Sequence, residues 1–213
     1  AETLAQLMID DLTVGVDEFD YTSPIIRRTQ HRAGLIKLAT SGADPDARDL
    51  RNLQAAGIAS AVTGCPVLTH CEAGLGGVQQ LERLGAEGVP PGSVIISHTD
   101  KTGDLGYLTE LAAAGAVLEM DQAVRQRDRG VDGTSIQLVA ALVERGYASQ
   151  VVISADAARR NLKHAYGGEP GLVWVAKEVP GLLARAGISA DDIALITRTN
   201  ADHAYRWRQG RER

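Results

Sequence analysis

Short apolar segments that end on a polar residue recur along the chain, and this recurrence constrains the fold more than any other feature. Each segment lies roughly 30 residues from the next, which is about the length of one strand plus one crossover helix. Segments with helical periodicity occupy the intervals. This alternation predicts a parallel sheet whose functional edge is the carboxyl end of its strands. The predicted strands are Leu35–Thr40, Pro66–His70, Val94–His98, Ala116–Asp121 and Gln150–Asp156.

Among the residues that end these segments, His70, His98 and Asp156 are the candidate metal ligands. Because side chains alternate between the two faces of a strand, each should share a face with the residue two positions before it. Neutral imidazole and carboxylate are ligands that zinc accepts, so the pattern predicts a divalent-metal site at this edge. The alternative is that both histidines lie at the edge of the core and bond backbone carbonyls.

Lys37 lies within the first predicted strand and cannot bind a metal as an ammonium ion. Burial would disfavour the charged form and leave a neutral amine that can capture carbon dioxide as a carbamate, an anion able to bridge two metals. The same amine could instead form a Schiff base with a carbonyl substrate. A third interpretation is an ion pair with Asp156 or Asp121.

Two basic loops follow the last two predicted strands. Arg159 and Arg160 are the candidates for holding an anionic substrate group, such as the phosphate of a sugar lactone, through bidentate hydrogen bonds. Solvated surface charge is the alternative. The basic residues are Arg125, Arg127, Arg129, Arg159, Arg160 and Lys163.

The composition is that of an ordinary globular domain: 213 residues, 44% hydrophobic and 23% charged. A net charge of -5 argues against a general nucleic-acid or membrane-surface binder. Two cysteines, Cys65 and Cys71, do not make a disulfide framework, so we expect a reduced, cytoplasmic protein.

Six motifs in register resemble the phosphotriesterase-like branch of the amidohydrolase superfamily, which includes phosphotriesterase homology proteins and lactonases, and the resemblance runs through about residues 2–204. The motifs are Gly34–Gly42, Thr63–His70, Gly74–Gln80, Ser97–Asp100, Asp104–Leu108 and Ile153–Asp156.

The resemblance implies a (β/α)₈ TIM barrel with a binuclear metal centre, usually zinc, that hydrolyses a small-molecule ester. Lys37 would be the carboxylated bridging ligand, and His70 and His98 would hold the second metal. Asp156 would bind the first metal and act as general base. Asp121 falls where the family has an acidic residue that contacts a metal ligand instead of the metal itself. The substrate would be a lactone or a phosphotriester, and a homodimer is left open.

In the family, the first strand of the barrel carries a His-x-His pair. This sequence contains no such pair. The other histidines here are His31, His164 and His203. We therefore expect residues 1–213 to form a single, N-terminally incomplete barrel domain with about the last five β/α units. A Schiff-base lyase acting through Lys37, or a truncated barrel without catalytic activity, are the alternatives.

Overall fold

The computed structural model describes residues 1–210, and within them five strands alternate with helices. The strands form one sheet in chain order, with parallel pairing of β1 with β2 and of β4 with β5. The predicted α/β fold with a parallel sheet is confirmed. The strands are β1 (Ile36–Thr40), β2 (Val67–Cys71), β3 (Val94–Ser97), β4 (Val117–Met120) and β5 (Val151–Ile153).

Helices occupy the intervals that the periodicity indicated. Asp46 begins one of them as a capping residue, because its carboxylate accepts hydrogen bonds from the amides of Arg48 and Asp49. None of the described helices is both long and apolar enough to cross a membrane. The helices are α1 (Glu2–Thr13), α2 (Ala47–Thr63), α3 (Gly77–Ala86), α4 (Leu105–Ala113), α5 (Thr134–Glu144), α6 (Val173–Arg185), α7 (Ala190–Ala194) and α8 (Asn200–Ala204).

Packing divides the chain into two compact units. The first comprises Ala1–Glu72 and Gly76–Ile95 together with residues 204–210, and the second comprises Ala73–Leu75 and Ile96–His203.

The first unit contains β1, β2 and helices α1 to α3. Strand β1 alternates strictly, with Ile36, Leu38 and Thr40 buried. The C-terminal segment returns to this unit, where the amide of Arg208 donates to the carbonyl of Gly64 at 2.8 Å. Gly64 has φ +75°, and a Cβ there would lie 1.8 Å from the carbonyl oxygen of Arg208, so this close approach requires glycine.

The second unit contains β4, β5 and helices α4 to α8. All of β4 is buried, which is typical of a central strand in a sheet covered on both faces. Asn200, at the start of α8, donates from Nδ2 to the carbonyls of Ala148 and Val151, both at 2.7 Å. This buried amide fastens α8 to the beginning of β5. A π-helical segment, Leu195–Thr199, lies between α7 and α8.

Candidate functional site

In the first unit, Lys37 and His70 lie on the same face of the sheet. Lys37 pairs in register with Leu68, and Ala39 pairs with His70, so the two candidate ligands are diagonal neighbours on adjacent strands. The predicted shared face of Leu68 and His70 is confirmed. The expected burial of Lys37 is wrong for the described chain, because the packed row of β1 is the opposite one and Lys37 is exposed.

His70 is fixed through its backbone by Gln80 of α3. The Nε2 of Gln80 donates to the carbonyl of His70 at 3.0 Å and to the hydroxyl of Thr40 at 2.8 Å. The imidazole Nε2 of His70 lies 3.2 Å from Oε2 of Glu72. For His70 to bind a metal through this nitrogen, the metal would have to replace that contact. The sequence analysis did not single out Gln80, whose signal is a polar residue on the apolar side of an amphipathic helix.

A polar recess of about 450 Å³ opens beside His70. The ends of β1 and β2 line it together with the first turns of α2, which contribute Arg48, Asp49 and Asn52. The carboxylate of Asp49 accepts a hydrogen bond from the amide of Ser41 at 3.0 Å. The recess therefore offers both hydrogen-bond donors and acceptors to a polar ligand.

In the second unit, His98 follows β3 in the left-handed conformation, with φ +63°. The predicted strand included His98, whereas β3 ends at Ser97, so the alternation that would place His98 with Ile96 does not extend to it. Its Nδ1 lies 2.6 Å from Oδ2 of Asp121, and its amide donates to the same oxygen at 3.2 Å. Left-handed conformations are costly for residues with a side chain and concentrate at functional sites. A carboxylate at Nδ1 sets the ring orientation that suits metal binding through Nε2.

Asp100 lies behind Asp121 and is only 2% exposed. It accepts hydrogen bonds from the amides of Asp121, at 3.2 Å, and Gln122, at 2.9 Å, and from the hydroxyl of Ser135. Burial raises the pKa of Asp100, and the charge of Asp121 adds to the rise, whereas the hydrogen bonds oppose it. Neither Asp100 nor Ser135 stood out individually in the sequence.

Glu119 is a buried carboxylate in the middle of β4 that the sequence analysis also missed. The hydroxyl of Ser97 donates to its Oε2 at 2.6 Å, and that of Ser154 donates to its Oε1 at 2.9 Å. Both carboxylate oxygens therefore have partners. A glutamate within an apolar strand was the available signal.

Asp156 is partly buried and is held by Arg125. The guanidinium Nη2 lies 2.6 Å from Oδ2 of Asp156 and donates to its carbonyl at 2.9 Å. Arg125 therefore acts on Asp156 and is not free to bind substrate. Arg159 and Arg160 are exposed, and the guanidinium of Arg160 lies 4.5 Å from the centroid of the Tyr166 ring.

The donor types at these positions suit a borderline divalent cation, since they are imidazole nitrogens and carboxylate oxygens. Within residues 1–210, however, no three His, Cys, Asp or Glu side chains are grouped so that they could hold a metal ion. The orientation of His98 by Asp121 fits a metal ligand. The Arg125 and Glu72 contacts are ones that a bound metal would rearrange.

Comparisons with known proteins agree on one family. The model of the Phosphotriesterase family matches residues 1–205. The phospho-furanose lactonase of Mycoplasmopsis synoviae is 28% identical over 198 residues, which cover 90% of this chain and 56% of that protein. The phosphotriesterase homology protein of Mycobacterium tuberculosis is 35% identical over 164 residues, 73% of this chain and 45% of that protein. This chain thus spans about half the length of both relatives.

Two solved structures match the fold over nearly the whole chain. An amidohydrolase from Mycoplasma synoviae has a TM-score of 0.92 and 26% identity, covering 99% of this chain and 61% of that one. The phosphotriesterase homology protein from Escherichia coli, complexed with phosphate in its active site, has a TM-score of 0.85 and 27% identity, covering 96% and 67%.

Proposed function

Because the chain belongs to the phosphotriesterase family, we propose that it is a zinc-dependent hydrolase of ester bonds, with a lactone or a phosphotriester as substrate. Relatives named as a lactonase and an aryldialkylphosphatase support this reaction class. The observation that carries the proposal is the 2.6 Å approach of Asp121 to Nδ1 of His98, because a carboxylate beside one ring nitrogen is the usual companion of a histidine that binds a metal through the other.

The proposal keeps the ligands that the family resemblance implies: Lys37 in carboxylated form, His70, His98 and Asp156. Bound zinc would supply Lewis acidity and a water of lowered pKa. Asp156 would take up the proton at its carboxylate as general base. The 2.6 Å contact of Arg125 with the Asp156 carboxylate would have to give way to the metal, whereas its donation to the Asp156 carbonyl holds the backbone that carries this side chain.

Hydrolysis of a γ-lactone and of a p-nitrophenyl dialkyl phosphate, measured before and after chelation, tests the proposal. We expect turnover to disappear with chelator and to return with Zn²⁺. Asp156→Asn should lower kcat by at least about 100-fold, the usual contribution of a general base. Asp128→Asn is the matched control, because that side chain is 90% exposed. Turnover that survives chelation, or no turnover of either ester with Zn²⁺ restored, would contradict the proposal.

We further propose that Arg159 and Arg160 bind an anionic group of the substrate. Stacking on Tyr166 uses the face of the Arg160 guanidinium and leaves its N–H edge for an oxyanion. Arg160→Ala should raise KM for a phosphorylated lactone by about 10- to 100-fold, because hydrogen bonds to charged groups are the strong ones. KM for the unphosphorylated lactone should change little, and the exposed Arg145→Ala should affect neither. Equal effects on both lactones would exclude this role.

A further inference from the structure

A buried hydrogen-bond network supports the backbone next to His98. We call it the Asp100 network: the carboxylate of Asp100, the hydroxyl of Ser135, and the amides of Asp121 and Gln122. Oδ1 of Asp100 accepts from the amide of Asp121 at 3.2 Å, and Oδ2 accepts from the amide of Gln122 at 2.9 Å and from Ser135. Ser135 is fully buried near the start of α5, so its hydroxyl has no exchange with bulk water.

The chemistry of this network requires a carboxylate. Three donors converge on Asp100, and an ionised carboxyl group offers acceptors only. An amide in its place would set an N–H₂ group against at least one of these N–H or O–H donors. The residue therefore matches its surroundings as an acceptor, and its burial excludes water as a substitute partner.

The network reaches His98 through one residue. Asp121 is fixed at its amide by Asp100, and its Oδ2 in turn accepts from the amide of His98 and lies 2.6 Å from Nδ1. The other oxygen of Asp121 accepts from the side chain of Gln122. With both ends of Asp121 held, the carboxylate that faces the imidazole has little freedom to turn.

We propose that Asp100 and Ser135 are positioning residues that set the orientation and tautomer of His98 by holding the backbone of Asp121 and Gln122. The consequence for turnover rests on the proposed function, whereas the effect on His98 does not. Ser135 binds the network from α5, 35 residues further along the chain than Asp100. The first turn of α5 is thereby coupled to the imidazole.

Ser135→Ala in the full chain tests this inference, with Ser60→Ala as its matched control. Ser60 is also a buried helical serine, but its hydroxyl donates to the carbonyl of Cys65 in the first unit. Amide hydrogen exchange at Asp121 and Gln122 should accelerate by about tenfold in Ser135→Ala, the size expected when one hydrogen bond to a charged acceptor is lost. The ring ¹⁵N shifts of His98 should move from one tautomer towards a mixture.

The control should leave both signals at their wild-type values. If Ser135→Ala does not fold, Asp100→Asn, which disturbs the same network at its acceptor instead of its donor, is measured in its place. Unchanged exchange at Asp121 and Gln122, or unchanged His98 ring shifts, would overturn the inference. If the wild-type protein hydrolyses neither ester, the proposed function is refuted. Altered exchange and ring shifts in the variant would still support the positioning role of Asp100 and Ser135. With turnover present, kcat should fall about tenfold at nearly constant KM.

Discussion

Replacing Gln80 by leucine should destabilise the first unit, because the Gln80 side chain is fully buried and makes three hydrogen bonds. Its Nε2 donates to Thr40 at 2.8 Å and to the carbonyl of His70 at 3.0 Å. Its Oε1 accepts from the thiol of Cys71 at 3.3 Å. Leucine has a similar volume, so the substitution removes these polar contacts without leaving a large cavity.

The magnitude follows from the two stronger hydrogen bonds. A buried group left without its partner costs about 1–3 kcal/mol, so the loss at Thr40 and His70 is about 3 kcal/mol together. Burying the additional apolar surface of leucine returns about 1 kcal/mol. The net loss of about 2 kcal/mol corresponds to a decrease in Tm of about 4–8 °C for a chain of this size. Urea and thermal unfolding followed by circular dichroism measure both quantities.

Gln79→Leu provides the control, since Gln79 is the neighbouring residue on α3 and is exposed. This surface change should alter the free energy of unfolding by less than about 0.5 kcal/mol. Equal shifts in the two variants would show that the hydrogen bonds of Gln80 do not stabilise the ends of β1 and β2. An unchanged midpoint in Gln80→Leu would refute the reasoning outright.

Two further predictions concern buried groups away from the candidate ligands. Asn200→Ala should lower the free energy of unfolding by about 2–4 kcal/mol, because the carbonyls of Ala148 and Val151 both lose a donor; a loss below about 1 kcal/mol in urea titration would contradict this. Burial raises the pKa of Cys65 to about 11, so only about one thousandth of its thiol is ionised at pH 8. Iodoacetamide should label Cys65 in the unfolded chain but not in the folded protein at pH 8, and rapid labelling of the folded protein would contradict the assignment.

The sequence predicted the strands well because apolar segments of a parallel sheet are buried on both faces and therefore continuous. It placed the ends of the last three strands too far along the chain. The last strand was predicted to reach Asp156, yet β5 stops at Ile153. Beyond it, the amides of Ser154 and Asp156 still donate to the carbonyls of Met120 and Asp121, but not in regular ladder geometry. The apolar residues of β5 give way there to Ser154 and Ala155, and the predicted strand was carried past this change to Asp156.

The sequence predicts which side chains of a strand share a face, but not which of the two faces is packed. Alternation placed His70 with Leu68 correctly, and the register brings Lys37 to the same face. Which face of β1 is packed depends on residues distant in sequence, so alternation alone could not predict that Lys37 is exposed. His98 shows a second limit, since a positive φ in a residue other than glycine is uncommon and the residue type indicates it only weakly.

The carboxylates with the best-satisfied hydrogen bonds in the second unit are not those that the sequence favoured. Glu119 accepts hydrogen bonds from Ser97 and Ser154, which lie 22 and 35 residues away in the chain, and Asp100 accepts one from Ser135, which lies 35 residues away. Buried carboxylates require such donors, because an unpaired charge in a dry interior costs far more than any single hydrogen bond returns. Replacing one of these serines therefore leaves a buried carboxylate without one of its donors. In the sequence, however, such a serine looks like any other serine in a turn or at the end of an element. A buried acid at this edge of the sheet whose oxygens already accept such hydrogen bonds is therefore a poorer candidate metal ligand than an acid whose oxygens do not.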